Sequence, residues 1–182
     1  FNALHDSSNE MRVVNARHEQ GVAYMAFGYA QSTGKPGVYA VVPGPGILNT
    51  TAALSTAYAC NSRVLAITGQ IPSSYIGREL GMLHEIPNQL SVLEGLTKFA
   101  KRINYPSDAP AIVSEAFKNM RSGRPRPTAI EMPMDIMQHK SEVTLRKFTD
   151  GYSPPAADPD LIKEAALILG AAKNPVIFVG TG

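Results

Sequence analysis

Apolar positions fall into two kinds of run along the chain, and the two kinds alternate. From Glu19 to Thr33 small and aromatic residues recur on one helical face (Ala23, Phe27, Ala30). Gly34 follows as a stop, so the spacing predicts a helix over 19–33. Val38–Val42 and Val64–Thr68 are almost continuously apolar and of strand length, and Thr128–Glu131 reads as a strand closed by Pro133. Met11–Asn15 predicts a further strand ahead of the first helix. Ile47–Cys60, rich in Ala and Thr, predicts a second helix. Pro106–Ser122 predicts a third, with Ile112, Ala116 and Met120 on its apolar stripe.

Strands that are apolar throughout, alternating with helices over short connections, imply an α/β fold. The sheet is expected to be parallel and doubly wound, with helices on both faces. The stretch Ala52–Ala59 has no polar face, so burial between layers or at a subunit contact is expected for it. The pattern breaks over 139–157, where Gly151 and Pro154–Pro155 read as a linker. Asp158 then suits an N-cap, Pro159 the first helical position and Gly170 a place past the end of a helix. The run Val176–Val179 reads as a strand after it. The expected organisation is a domain over 1–138, a linker over 139–157 and the truncated start of a second α/β domain over 158–182. With Phe1 and Leu4 opening on apolar sequence, the chain reads as a segment of a longer polypeptide.

Composition narrows the function classes. The net charge of +2 on 182 residues, with no basic run, argues against nucleic acid. A charged fraction of 18% is low for a globular protein and suggests surface covered by a neighbour. The single cysteine, Cys60, excludes an internal disulfide and a cysteine metal cluster, and it reads as a small buried residue of an Ala-rich helix. No apolar run reaches the roughly 18 residues of a membrane span. A cytoplasmic protein is the simplest reading.

Three segments carry candidate chemistry. Arg17-His18-Glu19-Gln20-Gly21 sets a carboxylate at a helix start. There the helix dipole favours the anion, burial favours the acid, and a proton could pass to a ligand nitrogen. A capping carboxylate without chemistry is the plain alternative. Pro43-Gly44-Pro45-Gly46-Ile47-Leu48-Asn49 follows a strand and precedes a helix, and its glycines let backbone N–H groups approach an anion or a ring edge. It lacks the third glycine of a dinucleotide fingerprint and the Gly-Lys-Ser/Thr of a phosphate loop, and a tight turn is its plain alternative. Thr68-Gly69-Gln70-Ile71-Pro72 ends the next strand and leads into an irregular segment over 73–89. His84 and Glu85 in that segment offer acid/base groups or solvated loop residues. The four histidines show no metal-ligand spacing.

Together with Gly28-Tyr29-Ala30 and Thr33-Gly34-Lys35-Pro36-Gly37-Val38, these motifs stand in the order and spacing of one family. Over 1 to about 138 the chain resembles the N-terminal pyrimidine-binding domain of thiamine-diphosphate-dependent enzymes, in the acetolactate synthase and 2-oxoacid decarboxylase group. The resemblance implies that Glu19 hydrogen-bonds N1′ of the cofactor's aminopyrimidine. Proton sharing there promotes the imino tautomer, and through it loss of the thiazolium C2 proton, attack on a 2-oxoacid and release of CO₂. It implies that Gly44, Pro45, Gly46 and Asn49 lie beside the pyrimidine, and that Gln70 and His84 face the active site. Leu83 and His84 stand where acetolactate synthases have phenylalanine and glutamine, which leaves the acceptor substrate open. The family's first strand and its Mg²⁺–diphosphate motif are not in these residues, so Mg²⁺ is assigned to a C-terminal domain. FAD on the central domain is left open. A homodimer or homotetramer is implied, with no nucleic acid and no membrane as partners. The implied reaction transfers or ligates the acyl unit left by decarboxylation, with simple decarboxylation, acyl transfer and a non-catalytic assembly role as alternatives. The segment alone is expected to be inactive.

Overall fold

A computed structural model describes residues 2–145, 153 and 155–180. A five-residue helix, α1 (Asn2–Asp6), is followed by α2 (Glu19–Thr33), which has the predicted bounds. His18 caps the start of α2, its Nδ1 accepting from the Gln20 amide at 3.1 Å. Gly34 ends it in the left-handed conformation at φ 68°, its N–H donating to the Ala30 carbonyl.

The sheet has four strands, all parallel: β1 (Gly37–Val41), β2 (Val64–Gln70), β3 (Phe99–Arg102) and β4 (Thr128–Pro133), in the spatial order β1-β2-β4-β3. Thr68 of β2 stands between Val41 of β1 and Glu131 of β4. Between β1 and β2 lie α3 (Pro45–Leu48) and α4 (Thr51–Ala59); α5 (Gln89–Leu96) precedes β3, and α6 (Ala109–Arg121) precedes β4. α7 (Met134–Gln138) follows β4 directly, and α8 (Pro159–Ala171) completes the described helices.

The central strands are buried almost throughout, and successive side chains point to opposite faces of the sheet and so define two cores. Val64, Ala66 and Ala129 join Ala23 and Ala26 of α2, Leu54 of α4 and Leu93 of α5 on one face. Leu65, Ile67 and Ile130 face Ile112, Ala116 and Met120 of α6 on the other. Helices thus cover both faces, as the uninterrupted apolar strands require. The small face of α2 allows backbone-to-sheet contact: a Cβ on Gly37 would stand 2.0 Å from the Ala26 carbonyl oxygen. Cover is thinner beside β1, where Val38 is half exposed. An apolar groove of about 930 Å³ runs there, lined by Val38, Val113, Phe117, Met132 and Leu145 among others. None of the candidate site residues lines it.

Several expectations are corrected. Met11–Asn15 pairs with no strand among the described residues, and Met11, Val13 and Val14 are 47–52% exposed. Without a neighbour to take its N–H and C=O groups, an apolar run does not make a strand. Val176–Val179 is likewise unpaired and exposed. Gly170 lies inside α8 rather than past it, although Asp158 caps that helix through the Asp160 amide as its position suggests. The helix predicted over 47–60 is two helices, broken at Asn49–Thr50. α4 buries Ala53, Leu54 and Ala57 but leaves its opposite side open, and Cys60 at its end is exposed rather than buried. α5 and β3 have no counterpart in the sequence pattern. α8 lies where the start of a second domain is expected, and it buries none of its residues.

Candidate active site

The carboxyl ends of β1, β2 and β4 and the N-terminus of α2 bring the candidate residues together, which is where open parallel sheets bind ligands. α2 lies on β1, so the first residue of the helix, Glu19, comes level with the loop that leaves the strand. A Cβ on Gly46 would lie 3.9 Å from Glu19 Cγ. Asn49 Nδ2 donates to Glu19 Oε2 at 3.0 Å. Glu19 is partly buried, and no ion pair holds it among the described residues. Its pKa is lowered, first by the backbone N–H at the helix start and then by Asn49, with His18 adding a little and desolvation opposing. In the open site the helix terminus outweighs burial, and Glu19 is a carboxylate at neutral pH.

The break between α3 and α4 aims Asn49 at Glu19. Pro45 occupies the first turn of α3, where its missing N–H costs nothing. Thr50, fully buried, donates from Oγ1 to the Ile47 carbonyl at 2.7 Å and accepts from the Tyr39 hydroxyl at 2.9 Å. Burial pushes the Tyr39 hydroxyl well above its ordinary pKa, so it stays a donor.

Gly44 has φ 61° and ψ −119°, and a Cβ there would stand 2.4 Å from the His84 carbonyl oxygen. Only glycine fits. Its N–H is not free for an anion, as the sequence suggests, because it donates to Gln89 Oε1 at 2.8 Å. Gln70 is 4% exposed. Its Oε1 accepts from the Ile71 amide at 2.8 Å and its Nε2 points to Glu131 Oε2 at 3.4 Å. The side chain is therefore committed to the interior rather than turned to an open cleft. His84 is partly buried with φ 70°, and it meets the site through its backbone against Gly44. Glu85 closes its own turn, Oε2 accepting from the Met82 amide at 2.8 Å.

Three residues that the sequence does not single out lie behind this surface. Glu131 is fully buried; Arg102 Nε donates to its Oε1 at 2.6 Å and Gln89 Nε2 to its Oε2 at 2.7 Å. Loss of one partner of a buried pair costs about 3–5 kcal/mol, so Arg102 and Glu131 are held together. Arg102 closes β3 and Glu131 lies inside β4, and only the register of the two strands pairs them. Among the described residues no group of His, Cys, Asp or Glu could hold a metal ion, and no helix is long and apolar enough to cross a membrane.

The arrangement can hold a flat heterocycle against one carboxylate, with a side-chain amide orienting that carboxylate and Gly46 adding no side chain beside it. Comparison with known proteins agrees. Residues 1–92 match the family described as "Thiamine pyrophosphate enzyme, N-terminal TPP binding domain". The acetolactate synthase isozyme 1 large subunit of Escherichia coli is 33% identical over the whole of this chain and 32% of that protein. An acetolactate synthase of Arthrospira platensis is 35% identical over 97% of this chain and 31% of its own length. A probable 2-ketoarginine decarboxylase of Pseudomonas aeruginosa is 34% identical over 94% of this chain and 31% of its length. The chain thus spans about a third of the length of these curated relatives.

Proposed function

The chain belongs to the thiamine pyrophosphate enzymes through their N-terminal TPP binding domain, and from that premise we propose that it is the pyrimidine-side segment of an enzyme that decarboxylates a 2-oxoacid and transfers or ligates the acyl unit that remains. One observation carries the proposal: Glu19 stands at the helix start beside Gly46, hydrogen-bonded to Asn49. When bound, thiamine diphosphate supplies the electron sink for loss of CO₂. Glu19 holds a proton at N1′ of the pyrimidine, and Asn49 fixes the carboxylate's orientation. With the pyrimidine bound, water would be excluded from Glu19 and its pKa would rise, towards the range where a proton is shared. Gly44 and Gly46 keep side-chain atoms out of the ring's way. His84 is proposed to face the substrate from the segment after β2, and Mg²⁺ is proposed to accompany the diphosphate on a C-terminal domain. A second copy of the chain is the proposed cover for the outer side of α2, where Tyr24, Met25 and Tyr29 are 39–48% exposed.

Acetolactate synthase-like ligation is the leading reading because two of the named relatives carry that name. The decarboxylase relative supports a second reading, release of an aldehyde without ligation. The test replaces Glu19 in the full-length enzyme. Glu19→Gln is expected to lower CO₂ release from 2-oxoacids by about 10²–10⁴-fold, the usual worth of a positioned acid/base group, with oligomeric state unchanged. Undiminished turnover in that variant would take Glu19 out of the catalytic role, and absence of turnover in the unaltered enzyme would leave only an assembly role. Product analysis of the unaltered enzyme separates ligation from simple decarboxylation.

A further inference from the structure

We propose that Gln89 is a positioning residue: its buried carboxamide sets the place of the Gly44–Asn49 loop and, through it, of the Asn49–Glu19 pair. The inference rests on the thiamine diphosphate reading above. Gln89 opens α5 and is 1% exposed. All of its amide groups are engaged. Oε1 accepts from the Gly44 N–H at 2.8 Å, and Nε2 donates to the Gly69 carbonyl at 3.0 Å and to Glu131 Oε2 at 2.7 Å. The opposite orientation of the amide would set its oxygen against two other acceptors and its NH₂ against the Gly44 N–H, so the network admits one orientation. Arg102, donating to the other oxygen of Glu131, fixes the far end.

Gly44 is where this network meets the site. Pro43 and Pro45 have no N–H, so Gly44 carries the only backbone donor of 43–45, and Gln89 takes it. The Gly44 carbonyl accepts from the Leu48 N–H at 3.1 Å and so belongs to α3. α3 ends at Asn49, whose side chain reaches Glu19. A shift of Gly44 is therefore passed along one short helix to the catalytic carboxylate. Gln89 also joins Gly69 at the end of β2 and Glu131 in β4, so one side chain ties three strand ends to each other.

The experiment uses the full-length enzyme and calorimetric titration with thiamine diphosphate and Mg²⁺. Gln89→Leu removes every bond, and Gln89→Glu keeps the acceptor for Gly44 but loses both donors and faces Glu131 with a second carboxylate. Leu93→Ala, on the same helix but in the apolar core, is the control for lost stability. Both Gln89 variants are expected to bind the cofactor about tenfold more weakly or worse, while Leu93→Ala, at a similar fall in Tm, stays close to the unaltered enzyme. Equal affinities in the Gln89 variants and the control would overturn the positioning role. Failure of the unaltered enzyme to bind thiamine diphosphate would overturn the functional reading along with it. Hydrogen exchange on the unaltered protein decides the matter even where the variants do not fold. A peptide over 41–46, whose first two positions do not retain label, reports only Gly44 and Gly46 because Pro43 and Pro45 have no N–H, and protection at Gly44 comparable with that of β2 is expected. Exchange there at the rate of open loops would refute the inference.

Discussion

Asp135, in the first turn of α7, accepts from the Ser73 amide at 2.9 Å and from the Ser73 hydroxyl at 2.5 Å. These bonds join the segment after β2 to the end of β4 and hold the Asp135 carboxyl below its ordinary pKa. A group whose pKa is depressed on folding contributes stability above its unfolded value, about 3.9 for Asp, and loses it as the pH falls through the lower folded value. Asp135→Asn cannot titrate, so the fall in Tm between pH 5 and the most acidic pH that preserves folding is expected to be smaller in that variant than in the unaltered chain. The carboxyl is exposed, and solvent screening keeps the difference small. Glu19 follows the same rule through its helix start and Asn49. Its position was legible because a carboxylate at a helix start has few neighbours to choose from. Glu131 was not legible, because nothing local distinguishes a buried carboxylate from one at a strand's solvent end. Cys60 misled for the opposite reason, since an Ala-rich helix does not say which side of it faces water.

At the scale of elements, α2 lies directly against β1 at Gly37. Gly37→Ala would place a Cβ 2.0 Å from the Ala26 carbonyl oxygen and 2.7 Å from its carbon. Both are backbone atoms and cannot swing aside, so α2 must lift from the sheet. A loss of about 1–3 kcal/mol is expected from such overpacking, read as a lower urea midpoint for the variant. The same displacement would disturb the Asn49–Glu19 bond, because Glu19 is the first residue of α2. α2, β1, β2, α6 and β4 were readable because each buries a continuous or evenly spaced apolar set. α5 and β3 were not. α5 is eight residues long with Gly95 near its end, and β3 is four residues ending in Lys101 and Arg102 at the sheet's edge. Short elements at an edge take their structure from the neighbour they pair with.

For the molecule as a whole, the candidate site has one wall in the described residues. Glu19, Asn49 and Gly46 lie together, and no group of His, Cys, Asp or Glu that could hold a metal ion accompanies them among the described residues. The 182-residue chain by itself is expected to bind thiamine diphosphate with Mg²⁺ weakly and to release no CO₂ from 2-oxoacids. Calorimetry on the isolated chain checks this, and tight binding there would show that the remaining walls are not needed. The thinly covered side of β1 and the open side of α2 point the same way, because both leave apolar surface to water that a larger assembly would cover.

Sequence alone determined the layered α/β class, the bounds of α2 and the position of Glu19. These follow from local periodicity, capping residues and the rule that ligands gather at the carboxyl ends of parallel strands. Tertiary structure decided the strand order, the split between α3 and α4 that turns Asn49 towards Glu19, and the Gly44–Gln89–Glu131–Arg102 network. Those contacts join residues 29 to 45 positions apart. A hydrogen bond between such distant residues leaves no periodic trace, so it becomes visible only when the sheet has set their distances.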